Sequence, residues 1–260
     1  MTVEIYPCKN HSVQTVVLSS GLGGHANFWQ PQIEALREYF QIICYDHEGI
    51  EPQSPELPEN YSIQHLAEHL AKILKQHQQQ NCHFIGHALG GFIGIELVRL
   101  YPELVNRLVL INAWDRLDSH TEKCFSTRIA LLRYAGIEAY IRAQALFLYP
   151  PAWISAHSLQ LNEQENKMIG IFAPLENVFK RLHALQNYQP FEVARQIQNP
   201  TLVLTNQDDF LVPWKRGLAL AKLIKNAELE LMPNGGHAST ITQAQSVNEI
   251  LIRFLTKTTD

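Results

Sequence analysis

The sequence has no surplus of positive charge. Of its 260 residues, 21 are Lys or Arg and 25 are Asp or Glu, so the formal net charge is −4 with neutral histidines. Proteins that bind nucleic acid need clustered positive charge to neutralise phosphates. We therefore expect no nucleic-acid partner.

Long apolar runs are also missing. No uninterrupted apolar stretch reaches the roughly 18 residues that a membrane-spanning helix needs. Residues 1–4 (Met-Thr-Val-Glu) have neither the positive start nor the apolar segment of a signal peptide. These absences predict a protein with no membrane association and no secretory leader.

Cysteine is scarce and scattered. Cys8, Cys44, Cys82 and Cys124 are far apart and form no Cys-x-x-Cys pair. Small secreted scaffolds are held together by a dense framework of disulfides, which this spacing does not provide. The pattern fits reduced thiols, and it predicts a cytoplasmic location.

Hydrophobic residues are plentiful, at 46% of the chain, which is enough to bury the core of one large domain. Short, nearly continuous apolar runs alternate with stretches of helical periodicity. Such runs are typical of a parallel sheet that is covered on both faces. The expected fold class is α/β, with a mostly parallel, doubly wound sheet. The predicted strands are residues 15–19, 41–45, 82–85, 108–111, 201–204 and 228–232, and the predicted helices lie near 29–38, 62–77, 88–101, 214–225 and 239–255.

The alternation breaks between about residues 114 and 188. This segment has helical periodicity, contains no convincing strand and follows a predicted strand. Insertions in open α/β folds lie over the carboxyl ends of the strands, where ligands bind. We expect residues 114–188 to form a helical cap on a core of residues 1–113 and 189–260. The alternative is that these helices simply pack on the core.

A Gly-x-x-x-Gly turn at residues 86–90 (Gly-His-Ala-Leu-Gly) separates a predicted strand from a predicted helix. The spacing is that of the G-x-S-x-G nucleophile elbow, whose central side chain points at the substrate. Here Ala88 occupies the position of the serine. A dinucleotide-binding loop is excluded because the glycine spacing does not match G-x-G-x-x-G.

Two further loops support the elbow interpretation. Residues 20–24 (Ser-Gly-Leu-Gly-Gly) follow the first long strand, where this architecture places half of an oxyanion hole. The Leu22 N–H would supply that half, and the Leu89 N–H the other. These backbone groups predict a site that stabilises negative charge on a substrate oxygen.

An acid and a histidine follow the elbow in the order expected for this architecture. Asp208 and Asp209 come after the predicted strand 201–204, and His237 comes after the strand 228–232. The acid usually lies four residues before the proline of its loop, here Pro213, which selects Asp209. Asp208 would then cap the loop or be solvated.

Other histidines are weaker candidates. The segment 65–69 (His-Leu-Ala-Glu-His) matches a zinc-protease pattern, but helical periodicity places its polar residues off the buried face and no third ligand is evident. We therefore expect no metal. His87 is expected to pack under the elbow turn rather than to act in catalysis. His25 and His120 can lie either in the pocket or on the surface.

Nearly the whole chain resembles the α/β-hydrolase superfamily and, more closely, the pyrimidine-utilization protein D family of bacterial uracil and thymine degradation. The resemblance rests on residues 20–24, the serine-less turn 86–90, 146–150 with Trp153, and 235–238. Residues 61–63, His120-Thr121 with Cys124-Phe125, Asp208-Asp209 and 211–213 add to it. The chain departs from many relatives at residues 47–51, where they carry an arginine and a second glycine.

The resemblance implies a cofactor-free enzyme that acts on a small molecule. Its substrate would be carbamate, giving carbon dioxide and ammonia, or aminoacrylate, giving malonic semialdehyde and ammonia. His237 and Asp209 would supply acid–base catalysis, and aromatic residues of the cap would wall the pocket. A ligand-binding protein on a hydrolase scaffold is the alternative, and the oligomeric state stays open. The candidate pocket residues are His25, Trp114, His120, Phe147, Tyr149 and Trp153.

Overall fold

The computed structural model describes residues 2–258. Over these residues one sheet has the strand order β1-β3-β2-β4-β5-β6-β7, with β1 antiparallel to β3 and the other neighbours parallel. The predicted α/β class with a mostly parallel sheet is confirmed. The strands are β1 Val3–Tyr6, β2 Thr15–Ser19, β3 Gln41–Tyr45, β4 Cys82–His87, β5 Val105–Ile111, β6 Thr201–Asn206 and β7 Ala227–Met232.

Helices connect the strands and cover both faces of the sheet. Within the described residues, no helix is long and apolar enough to cross a membrane. The helices are α1 Gln30–Leu36, α2 Ile63–Gln76, α3 Leu89–Leu100, α4 Ser119–Ala130, α5 Gly136–Leu148, α6 Pro151–Ala156, α7 Ser158–Gly170, α8 Leu175–Asn187, α9 Phe191–Ala194, α10 Trp214–Leu223, α11 Ser239–Thr242 and α12 Ala244–Leu255.

The central strands are buried on both sides because successive side chains enter two different cores. Val17 and Ile43 pack with α2 and α3, whereas Val16 and Ile42 pack with α1 and α12. This explains why the strands read as continuous apolar runs rather than as an alternating pattern.

Two elements differ from the prediction. β1 is missing from it, because this short edge strand has only partly buried or exposed residues and so lacks an apolar run. The predicted helix 239–255 is broken at Gln243, whose backbone is not helical (φ −131°, ψ 38°). Thr242 Oγ1 donates a hydrogen bond to the Gly235 carbonyl, which ties the short α11 to the loop before it.

Between β5 and β6 the chain forms helices α4 to α9, of which α4 to α8 lie in the segment 114–188. A π-helical turn, Leu131–Ala135, joins α4 to α5, and Gly136 after it has φ +89°. Leu132, Tyr140 and Ile141 form a small core of their own within this helical segment. These helices therefore have a small core of their own, and residues of α4, α5 and α8 line one cavity together with Ala88 and His237.

Candidate active site

The turn between β4 and α3 holds Ala88 in a strained conformation. Its φ of 49° and ψ of −112° are unusual for any residue with a Cβ. The Ala88 N–H donates to the Ile111 carbonyl over 2.8 Å, and the Ala88 carbonyl accepts from the Gly91 N–H over 2.9 Å. The turn thus keeps the backbone of a nucleophile elbow although the nucleophile is absent.

The two outer glycines of this turn, Gly86 and Gly90, are required because there is no room for a side chain at either position. A Cβ on Gly86 would lie 2.3 Å from the Gly90 carbonyl oxygen, and a Cβ on Gly90 would lie 2.1 Å from the Ser19 carbonyl oxygen. Both contacts are with backbone, which cannot move aside cheaply. The glycine spacing seen in the sequence therefore reflects close packing of β2, β4 and α3 around the elbow.

His237 and Asp209 form a buried pair. Their side chains approach to 2.8 Å between Nδ1 and Oδ2. The other Asp209 oxygen, Oδ1, accepts the N–H groups of Leu211 and Val212 over 2.8 and 2.9 Å. With Nδ1 directed at the carboxylate, the remaining ring nitrogen, Nε2, is free to exchange a proton in the cavity that His237 lines.

Asp208 contacts the same loop through the backbone. Although it is exposed, its carboxylate accepts the Gly235 and Gly236 N–H groups over 3.0 and 2.9 Å. It caps the turn that leads into His237. The two adjacent aspartates therefore contact different parts of one loop.

The His237 backbone is fixed by two side chains from neighbouring strands. His87 Nε2 and Asn112 Nδ2 donate to the His237 carbonyl over 2.8 and 2.6 Å. Burial, together with His237 nearby, lowers the pKa of His87 to about 3, so that His87 is a neutral donor. Asn112 has no recognisable signal in the sequence, because its contact joins residues 125 positions apart.

The expected oxyanion donors lie at the places that the sequence indicates. Leu22 lines the cavity beside Ala88 and His237. Leu89 is the first residue of α3, so its N–H has no acceptor within the helix. A negatively charged group at this point would also meet the positive end of the helix dipole.

A cavity of about 760 Å³ joins these groups to the cap helices. Among the predicted pocket residues, His25, Trp114 and Tyr149 line it. Burial lowers the pKa of His25, which favours the neutral ring. These three residues therefore line the same cavity as Ala88 and His237, and their contact with a ligand stays a prediction.

Three predicted pocket residues lie outside the cavity lining. The His120 ring lies at the carbonyl of Phe210, on an exposed part of α4. Phe147 packs between Phe210 and the guanidinium of Arg128. Trp153 stacks between Tyr149 and His157, with ring centroids 4.5 and 4.1 Å away. Phe147 and His120 therefore pack against the loop that follows β6, and Trp153 packs against its neighbours in the chain; composition alone does not distinguish such packing from a pocket wall.

Two arginines that no sequence pattern singled out also line the cavity. Arg181, from α8, and Arg128, from α4, are 2% and 5% exposed. Arg181 lies between Asn177 and Leu185 on the buried face of α8, at a spacing of four residues. An arginine at such a position could have been recognised from the helical spacing of the sequence. Charged side chains are rarely buried without a partner.

The histidine pair on α2 shows no metal-binding geometry. Within residues 2–258, no group of three or more His, Cys, Asp or Glu side chains could hold a metal ion. His69, which helical periodicity places off the buried face, is half-buried, and burial lowers its pKa. The helix is therefore embedded more deeply than its polar pattern suggests.

Residues 14–139 match the sequence model of the alpha/beta hydrolase fold family, and residues 183–260 match that of the TAP-like proteins. A relative from Acinetobacter baylyi, named "Putative carbamate hydrolase RutD", is 48% identical over 98% of both chains. The chain belongs to the RutD family of α/β-hydrolases. A second RutD, from Serratia proteamaculans, is 44% identical and aligns over 99% of this chain and 97% of its own.

Solved structures support the fold of this RutD family member. An enol-lactonase from Burkholderia xenovorans superposes with a TM-score of 0.88 over 98% of this chain and 96% of its own, at 22% identity. A hydrolase from Pseudomonas aeruginosa superposes with a TM-score of 0.86 over 98% and 94%, at 23% identity. The solved structures thus show the α/β-hydrolase fold, and the RutD relatives show that the chain is a hydrolase.

Proposed function

We propose that the chain is a hydrolase of pyrimidine catabolism that cleaves the carbon–nitrogen bond of carbamate by acid–base catalysis without a nucleophile. The observation that carries the proposal is the buried His237–Asp209 pair facing a cavity in which Ala88 takes the place of the serine. The names of the RutD relatives point to the same substrate.

The proposed step needs one proton. Protonated His237, stabilised by Asp209, donates its Nε2 proton to the carbamate nitrogen. The carbon–nitrogen bond then breaks, its electron pair leaves with the nitrogen, and ammonia and carbon dioxide separate. His237 becomes neutral and regains a proton from water. The N–H groups of Leu22 and Leu89 hold the carboxylate oxygens meanwhile.

The missing serine is compatible with such a substrate. Removing the nucleophile of a serine hydrolase can lower kcat by about 10⁶. Carbamate, however, falls apart once its nitrogen is protonated, so it needs a proton donor rather than a covalent intermediate. General acid catalysis contributes about 10²–10⁴-fold, which suffices for a substrate close to reaction.

Aminoacrylate is a second candidate because the cavity of about 760 Å³ is far larger than carbamate, an ion of few atoms. In this reaction His237 would deliver a proton to the carbon next to the carboxylate, which gives an iminium ion. Water would add to the iminium carbon, and loss of ammonia would give malonic semialdehyde. The same acid–base pair serves both reactions.

The test is ammonia release from freshly generated carbamate, and separately from aminoacrylate, with and without the protein. We expect the wild type to accelerate release from one of them. His237→Ala should lose that acceleration, by about 10²–10⁴-fold, while keeping its fold. Asp209→Asn should also lose activity because the imidazole is no longer oriented, and Asp208→Asn should lose less.

No acceleration of either reaction by well-folded wild type would refute the catalytic proposal and favour a ligand-binding role. Full activity of His237→Ala would refute the acid–base mechanism.

A further inference from the structure

Arg181 reaches from α8 of the cap to the loop that holds the expected oxyanion donor. Its Nη2 donates to the Leu22 carbonyl over 2.9 Å and to His47 Nδ1 over 3.0 Å. Its Nη1 donates to the Glu48 carbonyl over 3.2 Å. The guanidinium therefore lies at the edge of the cavity that contains Ala88 and His237.

The acceptors around Arg181 are neutral. Leu22 and Glu48 contribute backbone carbonyls, and His47 is an uncharged ring because burial, reinforced by Arg181 itself, holds its pKa well below the usual range. Since Nδ1 of His47 accepts from Arg181, its Nε2 carries the proton and donates to Ser19 Oγ over 3.2 Å. Among the residues that the structure describes, no Asp or Glu forms an ion pair with Arg181.

A buried guanidinium without an anion is unusual. Arginine keeps its proton in proteins, so the charge persists inside the fold. Buried charges are normally paired, because leaving one uncompensated is costly. A cavity lined by such a charge is therefore suited to an anionic ligand, which the unpaired positive charge would attract.

We propose that Arg181 is the recognition site for the carboxylate of the ligand, and that this cavity selects small organic carboxylates over neutral molecules of the same shape. The inference deepens the proposed function, on which it rests for the orientation of the substrate. The carboxylate would lie against Arg181 and the Leu22 loop. The opposite, reacting end of the ligand would then point toward His237. His47 and the Glu48 carbonyl hold the guanidinium in this position.

Arg128 is a less suitable site for the carboxylate although it lines the same cavity. Its Nη2 donates to the Gln144 side-chain oxygen. Its guanidinium also lies 5.7, 5.6 and 5.9 Å from the rings of Phe125, Tyr140 and Phe147. Ring faces partly compensate a positive charge. Arg181 has instead a position beside the expected reaction centre.

The test compares crotonate with crotonamide by calorimetric titration of the full-length protein. The two probes have nearly the same shape, and crotonate has no nitrogen to lose, so binding is measured without turnover. We expect the wild type to bind crotonate at least about tenfold more tightly than crotonamide. Arg181→Gln should abolish this preference and leave the affinity for crotonamide unchanged. Arg181→Lys should keep part of it, because the positive charge remains although the contacts that hold the guanidinium are lost.

Lys123→Gln is the matched control, since it removes one positive charge from an exposed position on α4. It should leave both affinities unchanged. Equal affinity of the wild type for the two probes, or no binding of either, would overturn the inference. So would a preference that survives in Arg181→Gln or disappears in Arg128→Gln alone.

If Arg181→Gln does not fold, the wild type and Arg181→Lys decide, because complete loss of the preference in Arg181→Lys, which keeps the positive charge, would contradict recognition by that charge. A crotonate preference without carbamate or aminoacrylate turnover would refute only the proposed function. Turnover without the preference would refute only the assignment of Arg181.

Discussion

At the scale of single residues, Ala88 has the backbone of a nucleophile elbow but carries a methyl group in place of a hydroxyl. The backbone strain at φ 49° and the close packing at Gly86 and Gly90 are the features that present a nucleophile in other hydrolases. A methyl group there leaves room for the substrate beside His237. The strain is understandable if the turn still directs the substrate toward the acid–base pair and the oxyanion donors.

Ala88→Ser should therefore create a weak serine hydrolase. The new hydroxyl requires little extra space, and the expected donors and the His237–Asp209 pair are present. We expect slow hydrolysis of p-nitrophenyl acetate and an acetyl group on the introduced serine, detectable by mass spectrometry. Wild type is the control and should show no adduct at this position. A folded but inert variant would argue against a functional oxyanion hole, and an adduct on His87 or a cysteine in wild type would reveal a different nucleophile.

At the scale of elements, the loop between β7 and α11 is held by both the core and the cap. The Ala238 N–H donates to the Leu148 carbonyl at the end of α5 over 3.0 Å. A Cβ on Gly236, whose φ is +67°, would lie 2.9 Å from that same carbonyl oxygen. The position of His237 therefore depends on the C-terminal end of α5. A substitution that disturbs this contact should lower the rate of ammonia release.

Gly236→Ala tests this coupling. The left-handed backbone costs about 1–2 kcal/mol for a residue with a Cβ, and the contact with Leu148 adds to it. We expect a lower free energy of unfolding in urea and a marked loss of ammonia release, because His237 moves away from its position. Gly170→Ala, at the end of α7 with nothing within 4 Å of its Cβ, is the control. It should change stability by at most about 1 kcal/mol and leave activity intact. Equal activity of both variants would show that the cap does not position His237.

At the scale of the whole molecule, buried histidines make the fold sensitive to acid. Burial is the main cause that lowers the pKa of His83 to about 4 and that of His87 to about 3. An unfolded chain binds these protons below about pH 6.5, whereas the folded chain does not. The free energy of unfolding must therefore fall as the pH falls from about 6.5 toward the pKa of the folded state. Above about pH 6.5 the contribution of the neutral histidines to stability is complete.

His83→Leu isolates one such contribution, since His83 lies in β4 and outside the cavity lining. Between about pH 7.5 and pH 5 the wild type should lose about 2 kcal/mol more stability in urea titrations than the variant does. The exposed His77, changed to Gln, serves as the control and should keep the wild-type dependence. An unchanged dependence in His83→Leu would mean that this histidine is protonated in the folded state.

The order of the elbow, the acid and the histidine along the chain could be predicted from the sequence. Apolar runs, the glycines at 86 and 90, and the loops that carry Asp209 and His237 are local patterns, and local patterns determine strands, helices and turns. In a parallel sheet the carboxyl ends of the strands lie at one edge, so these loops meet there. The choice of Asp209 over Asp208 as the partner of His237 remains a prediction about role, although the distances agree with it.

Only the tertiary structure decided which distant side chains complete the site. Arg181 meets Leu22 across 159 positions, and Asn112 meets His237 across 125. The same holds for elements that no local pattern places: the Phe147 and His120 rings meet Phe210 after β6, Trp153 stacks on Tyr149, and β1 pairs with β3 at the sheet edge. Periodicity reports which face of an element is apolar, but it carries no information on which partner that face meets. The contact between Arg181 and the neutral His47 joins residues that are far apart in the sequence, so only the tertiary structure shows it. The anion recognition that we propose depends on this buried charge.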